Sequence, residues 1–596
     1  MSQYQPPYRD AAFLLKHVFS VDAHAQRCGL DLDADTALAI LDEAGKFARD
    51  RIDTINRAGD MQGARWSDST VTTAPGFKEA YQDFCAGGWQ GLRFPEQYGG
   101  QGLNAVVASL IDEMWHGASF SFALCPMLTN GAVEALLTAG SDYLKDTYVP
   151  KMVSGEWTGT MNLTEPGAGS DLAAIRSRAV PQADGTYRIS GQKIFITYGE
   201  HDYTDNIVHL VLARTPDAPA GVKGISLFAV PKFMVQPDGS LGARNDVRCS
   251  SIEHKLGIHG SPTAVMLFGE GEGAVGYLVG EENRGLEYMF IMMNDARFSV
   301  GLQGLAISER AYQHAAQYAL ERVQGRAVGD DGSHGDTIVR HPDVRRMLLS
   351  MRSHIDAMRA LAVHVAMKKD AAHSAGVDAA ARDAAKSELE LLVPVLKGWF
   401  TETAQDLTYN AVQVFGGMGY VEETGAAQYY RDARITTIYE GTTAIQANDL
   451  VGRKTVRDGG QTAFALLDTM AAAADSLARE DASAARVLGA RLAECCRAVR
   501  GVVHWLLDEQ RNNPRAVYAS SVPYLQLWGE ACGGWMHALR LQAALGGGQS
   551  GNDLRATAES ARFFAEQVLV RAPAMASAIV NGGQAALDFP DEAWLA

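Results

Sequence analysis

Apolar positions along this chain recur at two different spacings, and the spacing changes along its length. From 37 to 158 the apolar residues of ALAILDEAGKFARDRI and its neighbours fall every three to four positions, which predicts helices with one buried face. Gly and Pro punctuation in that stretch is densest in GLRFPEQYGGQG. At about 159 the texture changes to short β-branched and aromatic runs, YRISGQKIFIT, NIVHLVLART, GISLFAVPKF and TAVMLFGEG, separated by Gly, Pro and Asp. These predict strands and a β domain. Helical spacing returns at about 284. One long stretch ends in YALERVQGR, the next starts at Pro342, and a third runs from about 382 to 415 with a kink expected at Pro394. The end is Ala-rich and helical, broken at GGGQSGND. The pattern predicts an α+β chain with an N-terminal arm (1–36), a helical domain (37–158), a β domain (159–283), a helical bundle (284–455) and a further helical domain (460–596).

Composition narrows the class. At 596 residues, 47% hydrophobic and 21% charged, the chain is an ordinary globular one of several domains. Lys and Arg number 53 against 70 Asp and Glu, a net charge of −17, which opposes a nucleic-acid partner. The seven cysteines, at 28, 85, 125, 249, 495, 496 and 532, form neither a disulfide framework nor a zinc pattern. Reduced thiols and a cytoplasmic location are expected. The start, MSQYQPPYRD, does not read as a signal peptide, and no membrane span or metal site is expected.

Gly546, Gly548 and Gly551 satisfy G-x-G-x-x-G, but the preceding segment reads as helix, so a helix–helix loop is expected there instead of a dinucleotide site. Four other segments combine glycines with polar residues. In TEPGAGSD (164–171), Gly167, Gly169 and Ser170 would let backbone N–H groups approach a ligand, although a plain turn has the same composition. In GQKIFITYG (191–199), Phe195 and Thr197 would share one face of a strand, as a ligand surface or as core. QVFGGMGY (413–420) ends a helix. In RDARITTIYEGTTAIQ (431–446), Glu440 stands near Ile435 and Ile438, surroundings that favour a carboxylate acting as a base; a solvated loop residue is the plain alternative.

Together with HKLGIHGSPT (254–263) and YALER (318–322), and in this order, these segments resemble the acyl-CoA dehydrogenase family of flavoproteins, over about residues 80–452. The extra ends resemble its larger bacterial branch, which includes enzymes for 3-methylmercaptopropionyl-CoA. The resemblance implies a helical N-terminal domain, a middle β-barrel, a four-helix bundle and FAD between them. It assigns Leu163, Thr164, Gly169, Ser170, Phe195 and Thr197 to the flavin and Arg322 to the FAD phosphates. Gln413 and Gly417 are assigned to the nucleotide portion, and Thr442 to FAD as well. Ser170, Ser261, Asn294, Arg297 and Tyr439 would line the acyl-CoA. Glu440 would remove the α-proton while the β-hydride passes to the flavin, and an electron-transferring flavoprotein would take the electrons.

Phe195 stands where many members have Trp, and Asn294 where Asp is common. Ala296 occupies the position from which some members draw a base on the long helix, which leaves Glu440 as the candidate. Arg297 and Arg322, on one expected helix, would lie about 37 Å apart. One FAD cannot span that distance, so a homo-oligomer, a dimer at least, is expected. Two alternatives share the scaffold: a flavin oxidase acting on acyl-CoA, and a DNA-associated alkylation-response protein.

Overall fold

The computed structural model describes residues 3–329 and 335–595, with the side chain of Ile291 left out. The chain forms two compact units. One comprises Lys46–Asn104 and Ala118–Ser299; the other comprises Met1–Gly45, Ala105–Gly117 and Val300–Ala596.

The first unit is built on strands. Arg65–Ser67 (β1) and Thr70–Thr72 (β2) form a small hairpin inside the stretch expected to be helical; three-residue strands leave no periodicity to read. The main strands are Trp157–Asn162 (β3), Arg178–Pro181 (β4), Tyr187–Thr197 (β5), Asn206–Ala213 (β6) and Ser226–Pro231 (β7). Phe233–Val235 (β8), Leu241–Arg244 (β9), Val247–Ile252 (β10), Thr263–Phe268 (β11) and Ala274–Val279 (β12) follow. They pair in the order β10-β11-β5-β12-β7-β6-β3, with β4 on β5 and a separate β8–β9 hairpin; the β3–β6 pair is parallel. NIVHLVLA of β6 is buried throughout because it has a core on each side. Leu210, Leu212 and Leu227 face Leu136 of helix Phe120–Ala139 and Tyr148 and Met152 of helix Asp142–Val153. Val211, Phe228 and Val230 share the opposite core with Ile196, Cys249, Ala264 and Met266 of β5, β10 and β11. The sheet therefore curls around that second core in barrel fashion.

The second unit is helical. Val300 onward of helix Gly285–Glu321 belongs to it, with Pro342–His373 and Ala379–Phe415. The last of these passes through Pro394 as one helix. Ser483–Asn512, Ser521–Ala543, Gly551–Gln567 and Ala572–Asp588 follow. Of the G-x-G-x-x-G glycines, Gly546 and Gly548 lie between Ser521–Ala543 and Gly551–Gln567 and Gly551 opens the second helix, a helix–helix break with Gly547 at φ +99°. The N-terminal arm carries a largely buried anion. Asp10 accepts from Arg540 (2.7 Å) and Arg359 (2.8 Å), and Arg359 also holds Glu113 and Glu309. Burial opposes the Asp10 charge, but Arg540, Arg359 and Arg352 outweigh it and keep the carboxyl well below its usual range. Among the described residues, two helical stretches are by length and hydropathy apolar enough to cross a membrane. Phe120–Ala139 is a core helix, mostly buried; Gly551–Asp588 is interrupted at Leu569–Arg571.

Candidate functional site

In the sheet unit the TEPGAGSD loop is fixed from beneath. Lys193, wholly buried on β5, donates to the Glu165 carboxylate (2.8 Å) and to Leu163 O (3.0 Å). Glu165 also accepts from Ser177 Oγ and from the N–H groups of Arg176 and Ser177. The Ile194 N–H donates to Thr164 O, and Glu165 and Ala168 exchange backbone bonds around the Pro166–Gly167 turn. Burial resists both charges and pushes the Lys193 ammonium down to about 8. Lys193, with the Ser177 and Arg176 hydrogen bonds, still holds the Glu165 carboxyl below its usual value. Above this base Gly169 and Ser170 are exposed, and among the described residues their N–H groups have no partner. A Cβ on Gly167 or Gly169 would meet nothing within 4 Å.

Phe195 does not sit on regular strand. The β5–β11 register slips between Lys193 and Ile196, and Phe195 takes φ +60° in the bulge. Ile196 turns into the core, while Phe195 is 58% exposed and Thr197 half-buried. A phenyl ring held outward at a backbone cost fits a flat ligand better than a core role. On the 254–263 loop the Ser261 hydroxyl is buried and without a partner among the described residues. Asn294 is exposed and accepts from the buried Arg297 at 3.4 Å. Asp295, next to Ala296, is paired with Arg93 at 3.2 Å, so this neighbouring carboxylate is tied to a cation.

In the helical unit, Glu440 occupies a left-handed turn: φ is +53° there and +89° at Gly441. Lys397, wholly buried, donates to Gly441 O at 2.6 Å. Gln446, also wholly buried, donates to Glu440 O (3.2 Å) and Gly441 O (3.3 Å). Thr442 caps helix Thr443–Asp449 through Ile445 N, and Thr443 Oγ1 donates to Glu402 at 2.5 Å. Tyr439 donates its hydroxyl to Gln303, so its ring is what remains to offer a ligand. Burial and the Glu440 carboxylate push that phenol up.

Arg322, Gln413 and Gly417 gather at another end of the same unit. Helix Gly285–Glu321 stops one residue before Arg322, whose N–H still donates to Tyr318 O. Tyr318 stacks on Phe415 at 4.2 Å, which brings Arg322 toward the Gln413–Gly417 segment. Arg322, Gln413 and Gly417 are exposed, and a Cβ on Gly416 or Gly417 would enter open space. Along helix Ala379–Phe415, Lys397 and Gln413 are roughly 24 Å apart.

In the sheet unit, the open glycines and the outward ring of Phe195 fit a flat ligand; in the helical unit, taken by itself, the exposed Arg322 beside open glycines fits an anionic one. Family models match residues 34–156 (Acyl-CoA dehydrogenase, N-terminal domain), 160–270 (middle domain) and 283–454 (C-terminal domain). A fourth, Acetyl-CoA dehydrogenase C-terminal like, matches 464–590. The chain belongs to the acyl-CoA dehydrogenase family and is an FAD-dependent oxidoreductase that dehydrogenates acyl-CoA thioesters. The 3-methylmercaptopropionyl-CoA dehydrogenase of Ruegeria pomeroyi is 49% identical over 588 residues, 98% of this chain and 99% of that protein. An acyl-CoA dehydrogenase complexed with FAD, from Bacillus anthracis, shares the fold at TM-score 0.71 and 21% identity over 92% of this chain and 89% of that one. A chain from a structure of the electron transferring flavoprotein of Acidaminococcus fermentans aligns at TM-score 0.57 and 28% identity over 70% of this chain and 96% of its own.

Sequence reasoning missed the residues beneath the loops: Lys193 and Glu165, Lys397 and Gln446. A signal existed for the two lysines. Each is a lone charge inside an apolar run, KIFIT and LLVPVLKGWF, and a charge buried there must find partners.

Proposed function

We propose that Glu440 is the general base that takes the α-proton of the acyl-CoA, and that the substrate is 3-methylmercaptopropionyl-CoA. The Glu440 turn carries the first half of this reading. A non-glycine residue pays to be left-handed, and here the surrounding hydrogen bonds hold it so. Near-full-length identity to the Ruegeria pomeroyi enzyme supports the second half. Bound FAD supplies the acceptor for the β-hydride. In this reading Leu163, Thr164, Gly169, Ser170, Phe195 and Thr197 hold the ring system, Arg322, Gln413 and Gly417 hold the phosphates and nucleotide, and Thr442 also contacts FAD. Ser170, Ser261, Asn294, Arg297 and Tyr439 orient the thioester. The α-proton goes to the Glu440 carboxylate, the Cα–Cβ double bond forms as the β-hydride leaves, and the backbone N–H of Glu440 donates to the thioester oxygen as that oxygen gains charge.

The enzyme would work as a homodimer. Arg297 lies on helix Gly285–Glu321 and Arg322 directly after it, 25 residues on, which at 1.5 Å per residue is about 37 Å and supports an FAD shared between chains. An electron-transferring flavoprotein is the proposed acceptor. The seven cysteines, all unpaired, support a cytoplasmic site of action. The deciding experiment is anaerobic mixing of wild type and Glu440→Gln with 3-methylmercaptopropionyl-CoA. Wild type should bleach the flavin, and the variant should bind with bleaching slowed by about 10²–10⁴-fold or more. Rapid bleaching by the variant would remove Glu440 from the mechanism.

A further inference from the structure

We propose that Lys397 and Gln446 are positioning residues for proton abstraction: they hold the Glu440–Gly441 turn in its left-handed form, and the Lys397 ammonium tunes the proton affinity of the Glu440 carboxylate. This rests on Glu440 being the base.

Two consecutive left-handed residues persist only where their surroundings over-determine them. Here both carbonyls of the turn are taken from one side, Gly441 O by Lys397 and both oxygens by Gln446. The room is already filled, since a Cβ on Gly441 would lie 2.7 Å from Gln446 Nε2. Lys397 is itself immobilised. Its helix is approached on one side by Gly304, whose Cβ would lie 2.9 Å from the Phe400 backbone. On another side Gly529 packs so closely that a Cβ would lie 2.1 Å from the Trp399 ring. A wholly buried ammonium fixed in this way is a charge with little freedom to reorganise, one residue from the base. Such a charge favours the ionised carboxylate and acts more strongly than it would in water. Among the described residues, Tyr439, Glu402, Asp432 and Arg434, which donates to Thr437, are further titratable or charged groups close to the turn. Tyr439 is bound to Gln303 and Glu402 to Thr443; Asp432 is buried in the preceding helix, Ala426–Ala433.

The test is stopped-flow flavin reduction by 3-methylmercaptopropionyl-CoA between pH 5.5 and 9 on the FAD-loaded enzyme. Lys397→Gln keeps a donor and removes the charge; Lys397→Met removes both. Both should retain FAD and slow reduction, by ~10-fold or more for Met. Both should move the midpoint of the rate's pH profile up by about one unit. Gln446→Leu should slow reduction and leave the midpoint in place, because it removes no charge. Lysine variants with an unmoved midpoint would overturn the proposal even if slow, since a merely structural lysine gives that result. If Lys397→Met does not hold FAD, Lys397→Gln carries the same comparison. Failure of the base assignment is a separate result: Glu440→Gln would then reduce as fast as wild type.

Discussion

Replacing Lys193 by Met tests whether the buried pair beneath the TEPGAGSD loop is what readies that loop for FAD. The substitution keeps the side-chain length and removes two hydrogen bonds, to Glu165 and to Leu163 O. Breaking a buried ion pair by deleting one partner costs about 3–5 kcal/mol. Glu165 keeps three other donors, from Ser177 Oγ and two backbone N–H groups, so the low end, about 3 kcal/mol, applies. If that cost falls on the loop, FAD affinity should drop by about 100-fold, at 1.4 kcal/mol per factor of ten. Titrating apoprotein with FAD by flavin fluorescence measures it, with thermal unfolding alongside. Adding Glu165→Gln to Lys193→Met should restore part of the loss, because no uncompensated charge remains. The folded-state Glu165 carboxyl lies below its usual 4.5. Its stabilisation is therefore full above that pH and fades as pH falls through the folded value, so variant and wild type should converge in acid. A Lys193→Met protein with wild-type FAD affinity and an unchanged unfolding midpoint would refute the assignment.

Two predictions concern other titratable groups, one buried and one partly exposed. Glu530 on helix Ser521–Ala543 has an oxygen without a partner among the described residues, and burial pushes its carboxyl up to about 7, against a partial opposing effect of Arg571. Ionising it costs stability increasingly from pH 4.5 to 7, up to about 3 kcal/mol, so Glu530→Gln should raise the unfolding midpoint at pH 8 and not at pH 4.5. Equal shifts at both pH values would contradict this. The two ring nitrogens of His259 face only acceptors, Asp60 O and Oδ1 on one side and Lys255 O on the other, so the ring carries both protons. The hydrogen bond to Asp60 raises it to about 9. Its stabilisation is full below about 6.5 and is lost as pH rises through 9. The gap in unfolding midpoint between wild type and His259→Gln should shrink over that range, and a constant gap would show that the ring is neutral.

What the sequence made legible was local. Strand texture in NIVHLVLA and KIFIT, helical spacing after Pro342 and the glycine break at 546–551 all reappear, because each is set by neighbours within a few residues. What it hid was non-local or irregular. The Phe195–Thr197 alternation predicts a flat strand; the structure uses a bulge, and a register slip depends on the partner strand, β11. Arg322 looks helical by composition, but its carbonyl is taken by Ile338 N as the chain turns away. The arm at 1–36 reads as apolar, yet Asp10 is one of its anchors, through arginines at 359 and 540 that no local pattern connects to it. Of the candidate site, the residues in glycine-rich segments were visible and the charges supporting them were not.

The helices after 460 bear on the same point. A domain added to the end of a chain can fold beside the rest or become part of its support, and here several contacts favour the second. Gly529 meets Trp399, Leu525 lies against Gly398, and the Tyr524 hydroxyl is 3.0 Å from that of Thr455. Ser521 donates to Asn448 at the end of the helix that begins just after the Glu440 turn. Helix Ser521–Ala543 thus braces both the helix segment carrying Lys397 and the segment following Glu440. Such bracing has a physical use. A left-handed glutamate and a buried ammonium are both costly conformations, and each is kept only by close packing around it. The added helices supply part of that packing, so their removal should be felt first as a loosened Glu440–Gly441 turn.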